Sequence, residues 1–288
     1  MTRTRRPTRW AAAALVAAAL ALPAILRAQE MPGRPIWHDL LTPDLEISKA
    51  FYREMFGWTF RAPSMGKVHY IVAEMAGVAM GGLAEVPDGK GSGSQWLTYF
   101  EAIDVKGTVK RAVDSGGKIV APPTQTGSFK DETALVTDPL GATFGVKKPG
   151  FPPASGATPI HGWLWVELWT TDVDRSAQFY GTVLGFDRSM VKVGGSKYTV
   201  FEVDSARVGG LVKIPINGVQ PNWLPTIRVL NVDSAVARAV RLGGRVVLAP
   251  RRDVRDRALA IIQDPTGAAL ALQEWSGALA PDAEEHDE

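Results

Sequence analysis

Apolar and polar positions along this chain repeat in one fixed order. The run IWHDLL (36–41) reads as a strand, and Thr42-Pro43-Asp44 then opens a helix with Asp44 placed to cap it. Leu45, Ile47, Phe51, Tyr52, Met55 and Phe56 follow at near-helical spacing until Gly57 stops the element. WTFRA, VHYIVAEM and VAMGGLAEV come next as three strands separated by turn residues. The order then restarts with QWLTYFEAI as a strand, a helix from about Asp104 to Asp114 closed by Gly116-Gly117, and strands near KIVAP, TALVTD and ATFGVK. Runs of β-structure broken by single helices predict an α+β fold with mostly antiparallel sheets.

The whole pattern recurs. WHDLLTPD (37–44) matches WVELWTTD (165–172) at an offset of 128, as do Phe51-Tyr52 with Phe179-Tyr180, Tyr70 with Tyr198, and Gly81-Gly82-Leu83 with Gly209-Gly210-Leu211. The offset slips to 127 for Trp96 with Trp223, and to 126 for Asp138-Pro139 with Asp264-Pro265. This regularity predicts a tandem duplication, with one domain over 35–148 and the other over 160–275. Residues 149–159, rich in Pro and Gly, read as a linker, and 276–288 as an acidic disordered tail.

Residues 1–28 change the picture at the N-terminus. They hold Arg3, Arg5, Arg6, Arg9 and Arg27 and no acid, and the stretch from Trp10 to Leu26 is uncharged, ahead of a small residue at Ala28. That is the pattern of a cleaved signal peptide, which predicts an exported protein, periplasmic or extracellular, without stable membrane insertion afterwards. The alternative is an N-terminal membrane anchor; a span of about 25 Å is short for a bilayer core of about 30 Å. Taking those five arginines from the 32 basic residues leaves 27 against 30 acids, a weakly acidic body that argues against nucleic-acid binding. With no cysteine in the chain, disulfides, thiolate metal sites and cysteine nucleophiles are excluded.

TPDLEISKAFYREMFGW and TTDVDRSAQFYGTVLGF, the two GG-L hairpins, and the DPLG and DPTG turns together resemble the vicinal oxygen chelate superfamily of glyoxalases, bleomycin-resistance proteins and extradiol dioxygenases. The resemblance covers nearly everything outside leader, linker and tail. It implies two tandem glyoxalase-like domains, each of two βαβββ modules that form a cupped mixed sheet around a small molecule and, in many members, a metal. Its usual ligand positions fall here on Trp37, Leu97 and Gly145 in the first cup and on Trp165, Leu224 and Ala271 in the second. None of the six is a metal ligand, so the resemblance implies no metal and no other cofactor.

Strand alternation then selects what remains to line the cups. Trp37 and Asp39 share a face, as do Trp165, Glu167 and Trp169. On the opposing strands, Tyr99 and Glu101 face the first cup, and Thr226 and Arg228 the second. Asp39 and Glu101 could share a proton, and Glu167 and Arg228 could pair or clamp a polar ligand. These acids suit recognition of a small, partly aromatic or polar ligand between indole walls, or equally a structural role at the sheet seam. The cluster Trp163, Trp165 and Trp169 could stack a planar ligand or sit in the core. His38 reads as a satisfied, partly buried histidine on the helix side, and at most one of His69 and Tyr70 enters the cup. His161 and His286 have no ligand partner at useful spacing, and RRDVRDR (251–257) reads as a solvated loop. Three functions follow: a binding protein of the antibiotic-resistance type, for which a homo-oligomer is open; an enzyme (lyase, isomerase or hydroxylase) using carboxylate acid–base chemistry or a relocated metal site; or a structural or interaction module whose cups are filled by tryptophan.

Overall fold

The structure, a computed structural model, describes residues 33–62, 70–86, 93–126, 131–148, 158–193, 196–215 and 218–275. The leader, His69, most of the linker and the tail lie outside them. The first domain runs β1 (Pro35–Thr42), α1 (Leu45–Phe56), β2 (Thr59–Arg61), β3 (Tyr70–Met75), β4 (Val78–Glu85), β5 (Gln95–Glu101), α2 (Val105–Asp114), β6 (Lys118–Thr126), β7 (Asp131–Thr137) and β8 (Thr143–Lys147). The second repeats it as β9 (Trp163–Thr170), α3 (Val173–Leu184), β10 (Asp187–Val193), β11 (Ser196–Val203), β12 (Ala206–Lys213), β13 (Asn222–Val229), α4 (Val232–Arg241), β14 (Arg245–Leu248), β15 (Leu259–Gln263) and β16 (Ala269–Glu274). The predicted βαβββ order is present four times.

Helix starts follow from side-chain capping. Asp44 accepts from the Ile47 amide and Asp172 from the Arg175 amide, while Asn231, replacing the aspartate, accepts from Ser234. Both α1 and α3 end on a glycine in the left-handed region, Gly57 at φ 73° and Gly185 at φ 72°. Each domain then forms one eight-stranded sheet, in the orders β2-β3-β4-β1-β5-β8-β7-β6 and β10-β11-β12-β9-β13-β16-β15-β14. Pairs β1/β4, β5/β8, β9/β12 and β13/β16 are parallel and the others antiparallel, which makes both sheets mixed.

The helix-bearing faces of the two sheets pack against each other. Phe100, Phe144 and Val146 of the first domain share a buried cluster with Phe179, Tyr180 and Trp223 of the second. Leu40, Phe51 and Trp96 share another with Ile227, Val232 and Leu272. Polar bonds fix the pairing. Trp96 Nε1 donates to the Tyr52 hydroxyl (2.9 Å), which donates to Asp264 Oδ2 in the other domain (3.0 Å). Trp223 Nε1, Tyr180 and Asp138 repeat the chain in mirror order, at 2.9 and 3.0 Å. The Phe-Tyr and Asp-Pro signatures of the repeat thus join one domain to the other, which leaves the opposite sheet faces to form the cups. Among the described residues no helix is long and apolar enough to cross a membrane.

Candidate functional site

Asp39, near the middle of β1, is the polar centre of the first cup. Its Oδ1 accepts from Trp37 Nε1 at 2.7 Å and from the Tyr70 hydroxyl at 2.9 Å, and the carboxylate also takes a hydrogen bond from Tyr99. Burial raises the Asp39 pKa, opposed by these three donors and by the charge of Lys147. Burial and the adjacent Asp39 push both phenols above the ordinary tyrosine value. Two glycines make the close packing possible. A Cβ on Gly82 would fall 1.9 Å from the Tyr70 hydroxyl and 2.3 Å from Asp39 Oδ1, and one on Gly145 would fall 2.1 Å from Tyr99 Cδ1.

The second cup repeats this scheme with one addition. Trp165 Nε1 donates to the Tyr198 hydroxyl (3.0 Å), Tyr198 donates to Glu167 Oε1 (2.7 Å), and Trp169 Nε1 donates to Glu167 Oε2 (3.3 Å). Gly210 lies under the Tyr198 hydroxyl as Gly82 lies under that of Tyr70. The addition is Arg255, whose guanidinium bonds both Glu167 and Gln273 and lies 5.3 Å from the centre of the Tyr198 ring. Trp169, Leu224, Leu259, Ile261 and Ala271 form an apolar floor on which Val254 packs.

Three sequence expectations need correction. Arg228 does not face Glu167; it bonds the carbonyls of Trp275 and Thr158 at the domain edge. Glu101 does not pair with Asp39, whose polar partners are Trp37, Tyr70, Tyr99 and Lys147. The register explains both. Asp39 lies opposite Leu97 and Glu167 opposite Leu224, so Glu101 and Arg228 sit four residues further along, about 13 Å away. The third concerns 251–257. Arg251, Arg252, Asp253 and Arg257 are exposed, but Arg255 turns into the cup, its side chain only 17% exposed.

The tryptophan cluster also divides. A register shift between Thr226 and Ile227 pairs Trp165 with one and Trp163 with the other, skipping residue 164. Trp163 therefore turns to the domain interface, where its Nε1 donates to the Met80 carbonyl and its ring packs on His38. His38 is buried there against Thr98, and His161 bonds the Phe56 carbonyl. Sequence reasoning left the choice between His69 and Tyr70 open and missed Tyr198 as a site residue, although the match of the two tyrosines at the 128 offset marked both. It also missed Arg255 and Gln273, for which no local signal exists.

The fold and these sites define a tandem glyoxalase-like protein. The Glyoxalase/Bleomycin resistance protein/Dioxygenase superfamily matches residues 35–146 and 162–272, and the chain belongs to this family. It is 30% identical over 259 residues to the anthracycline biosynthesis protein DnrV of Streptomyces peucetius, covering 84% of this chain and 94% of that one. Its fold is similar to that of a Mn(II)-bound glyoxalase from Novosphingobium aromaticivorans (TM-score 0.57, 14% identity, 85% and 83% of the two chains). It is also similar to an extradiol ring-cleaving dioxygenase from B. fuscum (TM-score 0.59, 16% identity, 85% and 72%).

The residues present do not fit a divalent ion such as that glyoxalase holds. In the first cup Asp39 already accepts from three donors, and the Tyr99 ring covers Gly145 so closely that no side chain fits there. In the second, the guanidinium of Arg255 occupies the carboxylate a cation would need. Among the described residues no three His, Asp or Glu side chains group as a metal site.

Proposed function

We propose that this chain is an exported member of the family that binds a small organic molecule, partly aromatic and partly polar, in its first cup and without a metal ion. The observation that carries the reading is the Asp39 carboxyl, fixed by Trp37, Tyr70 and Tyr99. Aromatic walls around a few convergent polar groups are what small-molecule sites are made of. The three donors hold the carboxyl in place before any ligand arrives, which lowers the ordering cost of binding. The relation to a protein named for anthracycline biosynthesis supports a flat, partly aromatic ligand. Export rests on the basic and apolar pattern of residues 1–28, and N-terminal sequencing of protein from its native host checks it: the mature chain is expected to begin near Gln29.

The binding test is a calorimetric titration with hydroxylated anthraquinones, before and after dialysis against a chelator. Saturable binding indifferent to the chelator is expected. Asp39→Ala is expected to weaken it by on the order of tenfold or more and Tyr99→Phe by severalfold, the scale of losing a charged and a neutral hydrogen bond. Unchanged affinity in both variants would remove Asp39 from the site. Elemental analysis after dialysis is a separate check. Well below one equivalent of zinc, iron, nickel or manganese per chain is expected; a full equivalent that disappears with Asp39→Ala would overturn the metal-free reading.

One observation favours a second reading, an acid–base enzyme. Burial raises the Asp39 pKa beside two phenols, and general acid–base catalysts are tuned in this way. Conversion of a bound ligand that stops in Asp39→Asn while binding persists would place the protein in this class.

A further inference from the structure

The loop before β15 places a cation from the chain's own sequence in the second cup. The Arg255 guanidinium is held on three sides: by the Glu167 carboxylate, by the Gln273 amide oxygen and by the face of the Tyr198 ring. A carboxylate, a neutral acceptor and an aromatic face together recognise a planar delocalised cation. The ion pair is well shielded, with the Arg255 side chain 17% and the Glu167 side chain 7% exposed. Tyr198 and Trp169 donate to Glu167 independently, so this half of the site stands without the arginine.

Two further observations concern the loop and what lies under it. Arg255 and Arg257 are non-glycine residues in the left-handed region, at φ 47° and 67°, a conformation that persists only where surroundings impose it. Thr226 has a buried Oγ1 with no hydrogen-bond partner among the described residues. On β13 it lies between Leu224, which pairs with Glu167, and Arg228, which pairs with Gln273. Its hydroxyl is therefore in the floor between the two groups that hold the guanidinium, and Arg255 leaves it unsatisfied. Buried hydroxyls are normally satisfied, so a free cation, not tethered to the loop as Arg255 is, can shift to place an N–H on Thr226 and fits this cup better.

We propose that the second cup is a binding site for a planar organic cation, a guanidinium or amidinium, with Arg255 as its internal occupant and the 249–258 loop as its lid. The proposal does not rest on the first-cup reading, because none of its residues belongs to that site.

The test uses the full chain with methylguanidinium as probe and N-methylurea as its neutral isostere, both at low millimolar concentration. In Arg255→Ala, methylguanidinium is expected to raise the melting temperature saturably, with an apparent affinity on the order of tenfold or more above that of N-methylurea. Adding Glu167→Gln is expected to abolish the difference. Equal responses to the two compounds would make Arg255 a packing staple and overturn the site. Arg255→Gln, which keeps a polar side chain in the cup, takes the place of the alanine variant if the latter does not fold. The lid is tested in the unmodified protein by hydrogen-exchange mass spectrometry. Methylguanidinium is expected to speed exchange severalfold in peptides spanning 249–258 and to leave the first domain unchanged; exchange indifferent to the cation would overturn the lid.

Discussion

Replacing Asp264 with alanine is expected to cost about 3–5 kcal/mol of folding stability, the scale of breaking a buried charged hydrogen-bond network from one side. Asp264 Oδ1 accepts from the Thr266 and Ala268 amides and from the Thr266 hydroxyl, which closes the Asp-Pro turn of the second domain. Its Oδ2 accepts from Tyr52 of the first domain, and Tyr52 in turn accepts from Trp96. Alanine strands the buried Tyr52 hydroxyl and Ala268 amide without an acceptor and frees the partly buried Thr266 donors. Asp138→Ala should match it, because Asp138 bonds the Leu140, Gly141 and Ala142 amides through one oxygen and Tyr180 through the other. Tyr52→Phe removes only the link between domains and is expected to cost less, about 1–2 kcal/mol. Urea unfolding reads the ordering through the midpoint at constant slope. A cost for Asp264→Ala no larger than that for Tyr52→Phe would show that the carboxylate serves the turn weakly and the interface alone.

These pairings also show which part of the structure the sequence carries locally. The order of elements was legible because each step has a nearby physical cause: an aspartate cap, an apolar stripe, a glycine stop. Face assignment was legible for the same reason, since alternation is a property of one strand, and it grouped Trp37 with Asp39 and Trp165 with Glu167 and Trp169. Depth along a strand was not, because it depends on the register with a neighbour. Glu101 and Arg228 lie four residues along their strands from the partners of Asp39 and Glu167. The bulge that turns Trp163 away is likewise set by pairing with β13. Arg255 was beyond reach for a further reason. In a run of alternating charges every arginine looks solvated, and only the closure of the loop over Glu167, 88 residues away in sequence, selects one of them. The same holds for Tyr52 and Asp264, whose 212-residue separation hides a contact that both copies of the repeat make.

The second large effect is expected with pH, and it originates at His38. The ring is 5% exposed, lies 4.3 Å from the Trp163 ring of the other domain, and has Thr98 as its hydrogen-bond partner through Nδ1. Burial lowers its pKa from 6.5 to about 3, so the folded protein keeps it neutral where the unfolded chain protonates it. The sign follows from linkage. His38 contributes its full stability above pH 6.5, loses it progressively as the pH falls from 6.5 to about 3, and changes nothing below that. At about 1.4 kcal/mol per pH unit the loss across the window is roughly 4–5 kcal/mol. Other groups titrate nearby. His161, half-buried and also lowered, acts in the same direction, whereas Asp39 is raised and favours the fold as the pH falls through its folded value. The difference between unmodified protein and His38→Gln isolates the contribution, since glutamine keeps a hydrogen-bonding group facing Thr98 without a titrating proton. Denaturant midpoints at half-unit steps from pH 7.5 to 3.5 are expected to fall more steeply for the unmodified protein, with the two curves converging or crossing in acid. Parallel curves would mean that the ring is protonated in the fold. Because its aromatic neighbour Trp163 comes from the second domain, such a charge would lie at the seam between the sheets, and acid would act first on the domain interface, leaving each sheet's own hydrogen bonds intact.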